Sequence, residues 1–224
     1  MNKIGVIFDL DGVIVDTAKY HFLAWKKLAD ALGFEFTEAH NELLKGVSRV
    51  RSLEILLGIG NVTVSEIETQ NMLHSKNEDY LGYITKMGAD EILPGVEKLL
   101  NDLDDLEIKY VLGSASKNAE LILNQVGLCH RFYGIVDGNA VSKAKPDPEV
   151  FLIGAKKLKL PPENCIVFED AIAGIEAANK ANMISVGIGD KETLCEADYN
   201  FNDLTELPAN FLQELINRVP KREH

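Results

Sequence analysis

No apolar run in the 224-residue sequence approaches the roughly 18 residues that a membrane-spanning helix needs. The early stretch Ile4–Phe8 runs straight into Asp9 and Asp11, so a secretory leader is not expected either. Cysteine is scarce. Cys129, Cys165 and Cys195 are odd in number, far apart and lack a C-x-x-C spacing, which argues against a disulfide framework. Histidines stand at 21, 40, 74, 130 and 224, with no pair at zinc-ligand spacing. Basic residues are outnumbered, 23 against 35 acidic ones, for a net charge of −12. Such a surface repels phosphate backbones and anionic lipid, so no nucleic-acid or membrane partner is expected. A phosphorylated small molecule would need a pocket that gathers cations against the global field. These absences predict a cytoplasmic chain. What remains is an ordinary globular composition, 46% hydrophobic and 26% charged, sized for one large domain or one domain carrying an insert.

Several short runs are almost continuously apolar: Ile4–Phe8, Ile108–Leu112, Tyr133–Val136, Ile166–Phe168 and Ile184–Ile188. Runs without alternation suit strands buried on both faces of a parallel sheet. Between them Val96, Leu99, Leu100 and Leu103 follow helical spacing, as do Ala119, Ile122, Leu123 and Val126, and more sparsely Phe151, Ala155 and Leu158. This alternation predicts an α/β fold with a doubly wound, Rossmann-like parallel-sheet core. After Asp16, however, about ninety residues pass before the second strand. A loop of that length is improbable in a compact domain. Tyr20, Ala24, Leu28 and Ala31 share a helical face, and Ser65–Met87 holds a single glycine. The segment therefore reads as an inserted, all-helical cap, 17–92, within a core formed by 1–16 and 93–224.

Chemistry-bearing residues fall at strand ends, where ligands bind in such sheets. The first strand ends in Phe8-Asp9-Leu10-Asp11-Gly12. Residues 111–118, Val-Leu-Gly-Ser-Ala-Ser-Lys-Asn, place hydroxyls and backbone N–H groups at a helix start, an arrangement that binds anions. Lys145 precedes Pro146 in a Lys-Pro-Asp-Pro segment that holds the chain extended, and the fourth strand runs into Glu169-Asp170. Each has a plainer reading alone: turn residues, an N-cap serine, an exposed lysine, solvated acids. Together they are more specific. Acids gathered at one sheet edge repel one another unless a cation neutralises them, and oxygen ligands favour Mg²⁺. With Lys145, that cation would let a phosphate dianion approach a carboxylate.

These four segments, in this order, resemble the motifs of the haloacid dehalogenase superfamily of phosphotransferases, over Ile4 to about Gly187. The resemblance implies that Asp9 is the nucleophile that forms an aspartyl phosphate. It implies that Asp11 is the general acid/base, with its main-chain carbonyl on Mg²⁺. Ser114, the Ala115 amide and Lys145 would hold the transferring phosphoryl group, and Glu169 and Asp170 would complete the metal site.

The motifs alone do not separate a mutase from a phosphatase. Within the superfamily, the cap resembles that of mutases interconverting β-glucose 1-phosphate and glucose 6-phosphate through β-glucose 1,6-bisphosphate. A sugar-phosphate phosphatase is the alternative. Lys45-Gly46-Val47-Ser48-Arg49 resembles the loop whose arginine clamps the non-transferring phosphate, and arginine's planar fork suits that task. Ser116, Lys117 and Asn118 match the core side of the same site. Trp25 and Lys76 fall on positions facing the sugar, with cap packing and a solvated helix face as their plainer readings. Thr17 and His21 match the hinge that couples cap closure to Asp11. Two departures are Gly113, where relatives often carry alanine, and Gly138–Ser142. The partner expected is a small sugar phosphate, acted on by a monomer.

Overall fold

The computed structural model describes residues 4–218, so His224 lies outside the described residues. The apolar runs form strands β1 (Gly5–Phe8), β2 (Tyr110–Gly113), β3 (Gly134–Val136), β4 (Cys165–Glu169) and β5 (Ile184–Ile188). Ile108 drops out because its amide closes the preceding helical turn on the Leu103 carbonyl (2.8 Å). Tyr133 drops out as well, half-exposed, with the Lys109 ammonium 4.1 Å from its ring centre. A further strand, β6 (Tyr199–Phe201), was not foreseen. It is three residues long, only partly buried and carries no apolar run.

All six strands are parallel, in the order β3–β2–β1–β4–β5–β6. Helices α1 (Ala18–Leu32), α2 (Glu38–Glu42), α3 (Arg49–Ile59) and α4 (Glu66–Ile84) come between β1 and β2. The others are α5 (Val96–Asp105), α6 (Ala119–Gln125), α7 (Glu149–Leu158), α8 (Ile172–Lys180) and α9 (Phe211–Arg218). Side chains on a strand alternate between faces. Phe8, Leu112 and Phe168 accordingly pack with α5, α6 and α9, whereas Ile7, Val111 and Val167 pack with α7 and α8. The sheet is thus covered on both faces. Among the described residues no helix is long and apolar enough to cross a membrane.

The four helices after β1 form the cap. Trp25, Ala29, Phe36, Leu53, Leu56 and Leu73 make a hydrophobic cluster of their own. Ala24, Tyr80 and Ile84, at the base of α1 and α4, belong instead to the cluster that continues into the core. The two connections run together there: Val15 bridges Ile92, and the Leu93 amide donates to the Ile14 carbonyl (3.0 Å). Lys19 also pairs with Glu91 (2.6 Å), and the Tyr20 hydroxyl donates to the same carboxylate.

Candidate active site

The register fixes what meets at the sheet edge. Phe8 lies opposite both Leu112 and Phe168, so Asp9 and Glu169 emerge level with Gly113, and Ser114 follows one residue beyond. Beyond β1 the chain turns at Gly12, whose φ of +75° lies in the left-handed region that glycine tolerates. A Cβ there would stand 2.1 Å from Asp170 Oδ2, so the glycine also lets Asp170 close on the loop. The turn brings the Asp11 amide back to donate to Asp9 Oδ2 (3.1 Å).

Lys145, 3% exposed, donates to Asp9 Oδ1 (2.5 Å) and to Glu169 Oε2 (2.8 Å). Burial alone would lower its pKa, but the carboxylates of Asp9 and Glu169 outweigh that and hold the ammonium charged. The peptide from Lys145 to Pro146 is cis. Glu169 is engaged at its other oxygen too, accepting from the Ala171 amide (3.1 Å). Burial first, and then neighbouring acids, push Asp170 well above the usual carboxylate range. Asp11 moves the same way, by burial and then the charge of Asp9. Carboxylate oxygens of Asp9, Glu169 and Asp170 lie within 4.8 Å of one another. An all-oxygen donor set with excess negative charge fits a hard divalent cation.

Around these acids lies a cavity of about 560 Å³. Its core wall is the turn Ser114–Asn118, pinned by its own hydroxyls: Ser116 N donates to Ser114 Oγ (3.1 Å), and Asn118 N to Ser116 Oγ (3.2 Å). Its cap wall holds Lys45, Gly46, Val47, Ser48 and Arg49. Ser48 caps α3, accepting from the Arg51 amide (3.3 Å), which makes Arg49 the first helical residue. Gly46, with φ +70°, lies so close to the core that a Cβ would meet that of Ala171 at 2.8 Å. The cavity collects Lys45, Arg49, Lys76, Lys117, Lys143 and Lys145 in a chain of strongly negative net charge. That is the local inversion of field that a phosphorylated ligand requires.

Trp25 both packs in the cap and lines the cavity. Lys76 is not on a solvated face: it is 2% exposed, with its ammonium 4.6 Å from the ring centres of both Trp25 and Tyr80. Its Nζ lies within hydrogen-bond distance of His21 Nδ1 (2.9 Å). Burial, and then the charge of Arg49, pull its pKa down to about 7, against the opposing charge of Asp11. Burial, with Lys76 and Arg49, also keeps His21 neutral. Thr17, fully buried, donates its hydroxyl to Asp11 Oδ1. Every residue singled out in the sequence therefore lines this cavity or bonds to one that does. Asn77 was not singled out, although its side-chain oxygen accepts from Asn118 Nδ2 (3.2 Å), tying α4 to the core wall. It is 41 positions away, and no local pattern signals such a pairing.

The depressed Lys76 pKa has a consequence for stability. Between pH 7 and about 10.4 the unfolded chain binds a proton here that the folded chain has lost, so stability from this group rises with pH across that window. Below pH 7 the buried charge opposes folding in full. Lys76→Met should therefore melt a few degrees above the parent at pH 6 and flatten the pH dependence of Tm up to pH 10. Sugar-phosphate turnover should drop. Thermal melts at three pH values check the first result; a parent-like slope would mean that Lys76 keeps an ordinary pKa.

The chain belongs to the haloacid dehalogenase-like hydrolase family, whose model it matches over residues 5–182. A β-phosphoglucomutase of Bacillus subtilis is 42% identical to it, over 97% of both chains. The crystal structure of a β-phosphoglucomutase from Clostridium difficile superposes with a TM-score of 0.91 at 45% identity, covering 97% of this chain and 98% of that one. A phosphorylated carbohydrates phosphatase of Thermotoga maritima is 30% identical over 94% of this chain and 99% of its own.

Proposed function

We propose that this protein interconverts β-glucose 1-phosphate and glucose 6-phosphate through β-glucose 1,6-bisphosphate, with core 1–16 and 93–224 and cap 17–92 closing on the sugar. The observation that carries this reading is the presence of two cationic poles on one cavity. On the core side Lys145 pairs with Asp9 (2.5 Å) and Glu169 (2.8 Å), whereas Lys45 and Arg49 stand on the cap wall. A bisphosphate needs both poles, and a reversed sugar presents the same pair of charges again.

In one half-reaction Asp9 attacks one phosphorus of the bisphosphate, the bond from that phosphorus to the sugar oxygen breaks, and Asp11 donates its proton to that oxygen, releasing a monophosphate. In the other, Asp11 takes a proton from the free hydroxyl of a sugar monophosphate, whose oxygen attacks the aspartyl phosphate, forming the bisphosphate and freeing Asp9. Ser114, the Ala115 amide and Lys145 orient the phosphoryl group; Arg49 with Ser116, Lys117 and Asn118 holds the other phosphate. Asp9, Asp170 and the Asp11 carbonyl, with Glu169 acting through water, would hold Mg²⁺, which would supply charge neutralisation when bound.

The test separates the two half-reactions. Arg49→Ala should lower kcat/KM for isomerisation by about 10–100-fold, the worth of a charge-assisted phosphate contact. Phosphoenzyme formation from acetyl phosphate, which brings no second phosphate, should be nearly unchanged. Isomerised sugar phosphate in a coupled assay with Mg²⁺ and trace bisphosphate supports the mutase. Rapid release of free phosphate, with no effect of Arg49→Ala, would support the phosphatase instead.

A further inference from the structure

A second cavity, of about 340 Å³, shares only Lys45 and Asp170 with the substrate cavity in front of it. Its wall is made by the loops that leave β1, β4 and β5 and by the segment after β6, with Glu42 and Lys45 reaching in from the cap. Asp170 thus stands in the partition between the two spaces. Its Oδ2 lies against Gly12, where a Cβ would come within 2.1 Å, and Gly12 lines the rear cavity but not the front one. Through Asp170, the oxygen cluster of Asp9, Glu169 and Asp170 opens to the rear as well as to the substrate side.

The two cavities carry opposite charge. The front one sets six cationic side chains against the carboxylates of Asp9, Asp11 and Asp170. The rear one sets Glu42, Asp170, Asp190 and Asp203 against Lys45 alone, and Lys45 is itself paired with Glu42 (2.9 Å). Asp190 and Asp203 are exposed, and each is fixed through one oxygen. Oδ2 of Asp190 accepts from the Thr193 amide (2.8 Å), and Oδ1 of Asp203 from the Thr205 amide (2.7 Å). A field that draws a phosphate dianion through the front opposes a divalent cation there, and the rear field does the reverse. Size agrees with charge. Mg²⁺ gives up water reluctantly and travels with an octahedral shell of six. Six waters at about 30 Å³ each fill about 180 Å³, so the rear cavity has room for the hydrated ion.

We propose that the rear cavity is the passage by which Mg²⁺ enters and leaves, with Asp190 and Asp203 drawing it in and Asp170 receiving it at the inner end. Metal and sugar phosphate, oppositely charged, then arrive by different doors, and a ligand in the front cavity does not bar exchange of the metal. The inference rests on the metal site of the phosphoryl-transfer reading and not on which sugar is bound.

The test follows Mn²⁺, which takes the same oxygen ligands, by the loss of its free EPR signal after rapid mixing and by its release into excess EDTA. No turnover is needed. Asn202→Trp sets an indole in the rear cavity from an exposed position. It should slow association and release alike, by about tenfold, and leave Kd within about twofold, because an obstructed passage hinders both directions equally. Asp190→Asn combined with Asp203→Asn keeps the oxygens that accept from Thr193 and Thr205. Removing two charges beside the path of a divalent ion should slow association about fivefold at low ionic strength and less than about twofold near 1 M salt. Parent-like rates in a folded Asn202→Trp would place entry at the front and overturn the proposal. So would a raised Kd with release no slower, which would make the rear acids ligands rather than a passage. If Asn202→Trp does not fold, the paired asparagine variant decides alone, and a parent-like association rate at low salt overturns the proposal. A parent that binds no Mn²⁺ would instead be a failure of the metal site itself, whereas binding without these rate effects fails the passage alone.

Discussion

Asp9→Asn should lose phosphoryl transfer by at least about 10⁴-fold, the scale on which a nucleophile's removal is felt. The amide keeps the shape of the carboxylate but supplies neither the nucleophilic charge nor a full metal ligand. The fold should survive, for a reason visible at Lys145. That buried ammonium has two partners, and with Asp9 neutral it keeps Glu169 at 2.8 Å. The asparagine oxygen can still accept from the Asp11 amide, as Asp9 Oδ2 does now. Removing one of several crowded carboxylates also relieves the repulsion that raises Asp11, Glu169 and Asp170. Incubation with labelled acetyl phosphate should label the parent and leave the variant blank, while both melt at similar temperatures. Label retained on the variant would move the nucleophile elsewhere.

The second large effect concerns Asp11, and its signature is a split between half-reactions. Asp11→Asn should slow isomerisation by roughly 10²–10⁴-fold, the usual cost of losing a general acid/base. Asparagine is the better probe than alanine because its oxygen can still accept from the Thr17 hydroxyl, so the local network stays satisfied. Acetyl phosphate carries a leaving group that departs without an acid, and its half-reaction should be spared. Phosphoenzyme formed from it should then persist, since neither water nor sugar is deprotonated for attack. Burial and the charge of Asp9 raise the Asp11 pKa, which keeps it protonated as an acid at a pH where a free aspartate would be ionised. Rapid-quench measurement of phosphoenzyme formation and decay checks both halves. Equal slowing of formation would mean that Asp11 orders the loop rather than moving a proton.

Much of this site was legible because each core group stands at the end of a buried strand, and buried strands advertise themselves as apolar runs. Asp9, Ser114 and Glu169 needed no contact information to be placed on one edge. The cap was legible as a length of chain too great for a loop. Its interior was less so. Lys76 lies in Lys-Asn-Glu-Asp-Tyr, a string that reads as solvated, yet α4 turns Lys76 and Tyr80 inward, one helical turn apart. The pattern misled because α4 buries polar groups on the face where a hydrophobic stripe would be sought. Strand β6 was missed for the complementary reason: at the sheet edge, Tyr-Asn-Phe needs no continuous apolar run. The ties from Asn118 to Asn77 and from Thr17 to Asp11 depend on tertiary placement, which periodicity does not encode.

The base of the cap shares its oil with the core: Ala24, Tyr80 and Ile84 sit in one cluster with Val13, Ile14 and Val15. The cap is for this reason a lever with its fulcrum at the foot of α1 and α4, rather than a body on two loose strings. Sliding would tear apolar contacts open, whereas rocking preserves them. A 19-residue helix such as α4 is about 28 Å long, so a tilt of about 10° at the fulcrum carries its far end about 5 Å. A sub-ångström adjustment at this fulcrum would in this way become ångströms at the mouth of the cavity.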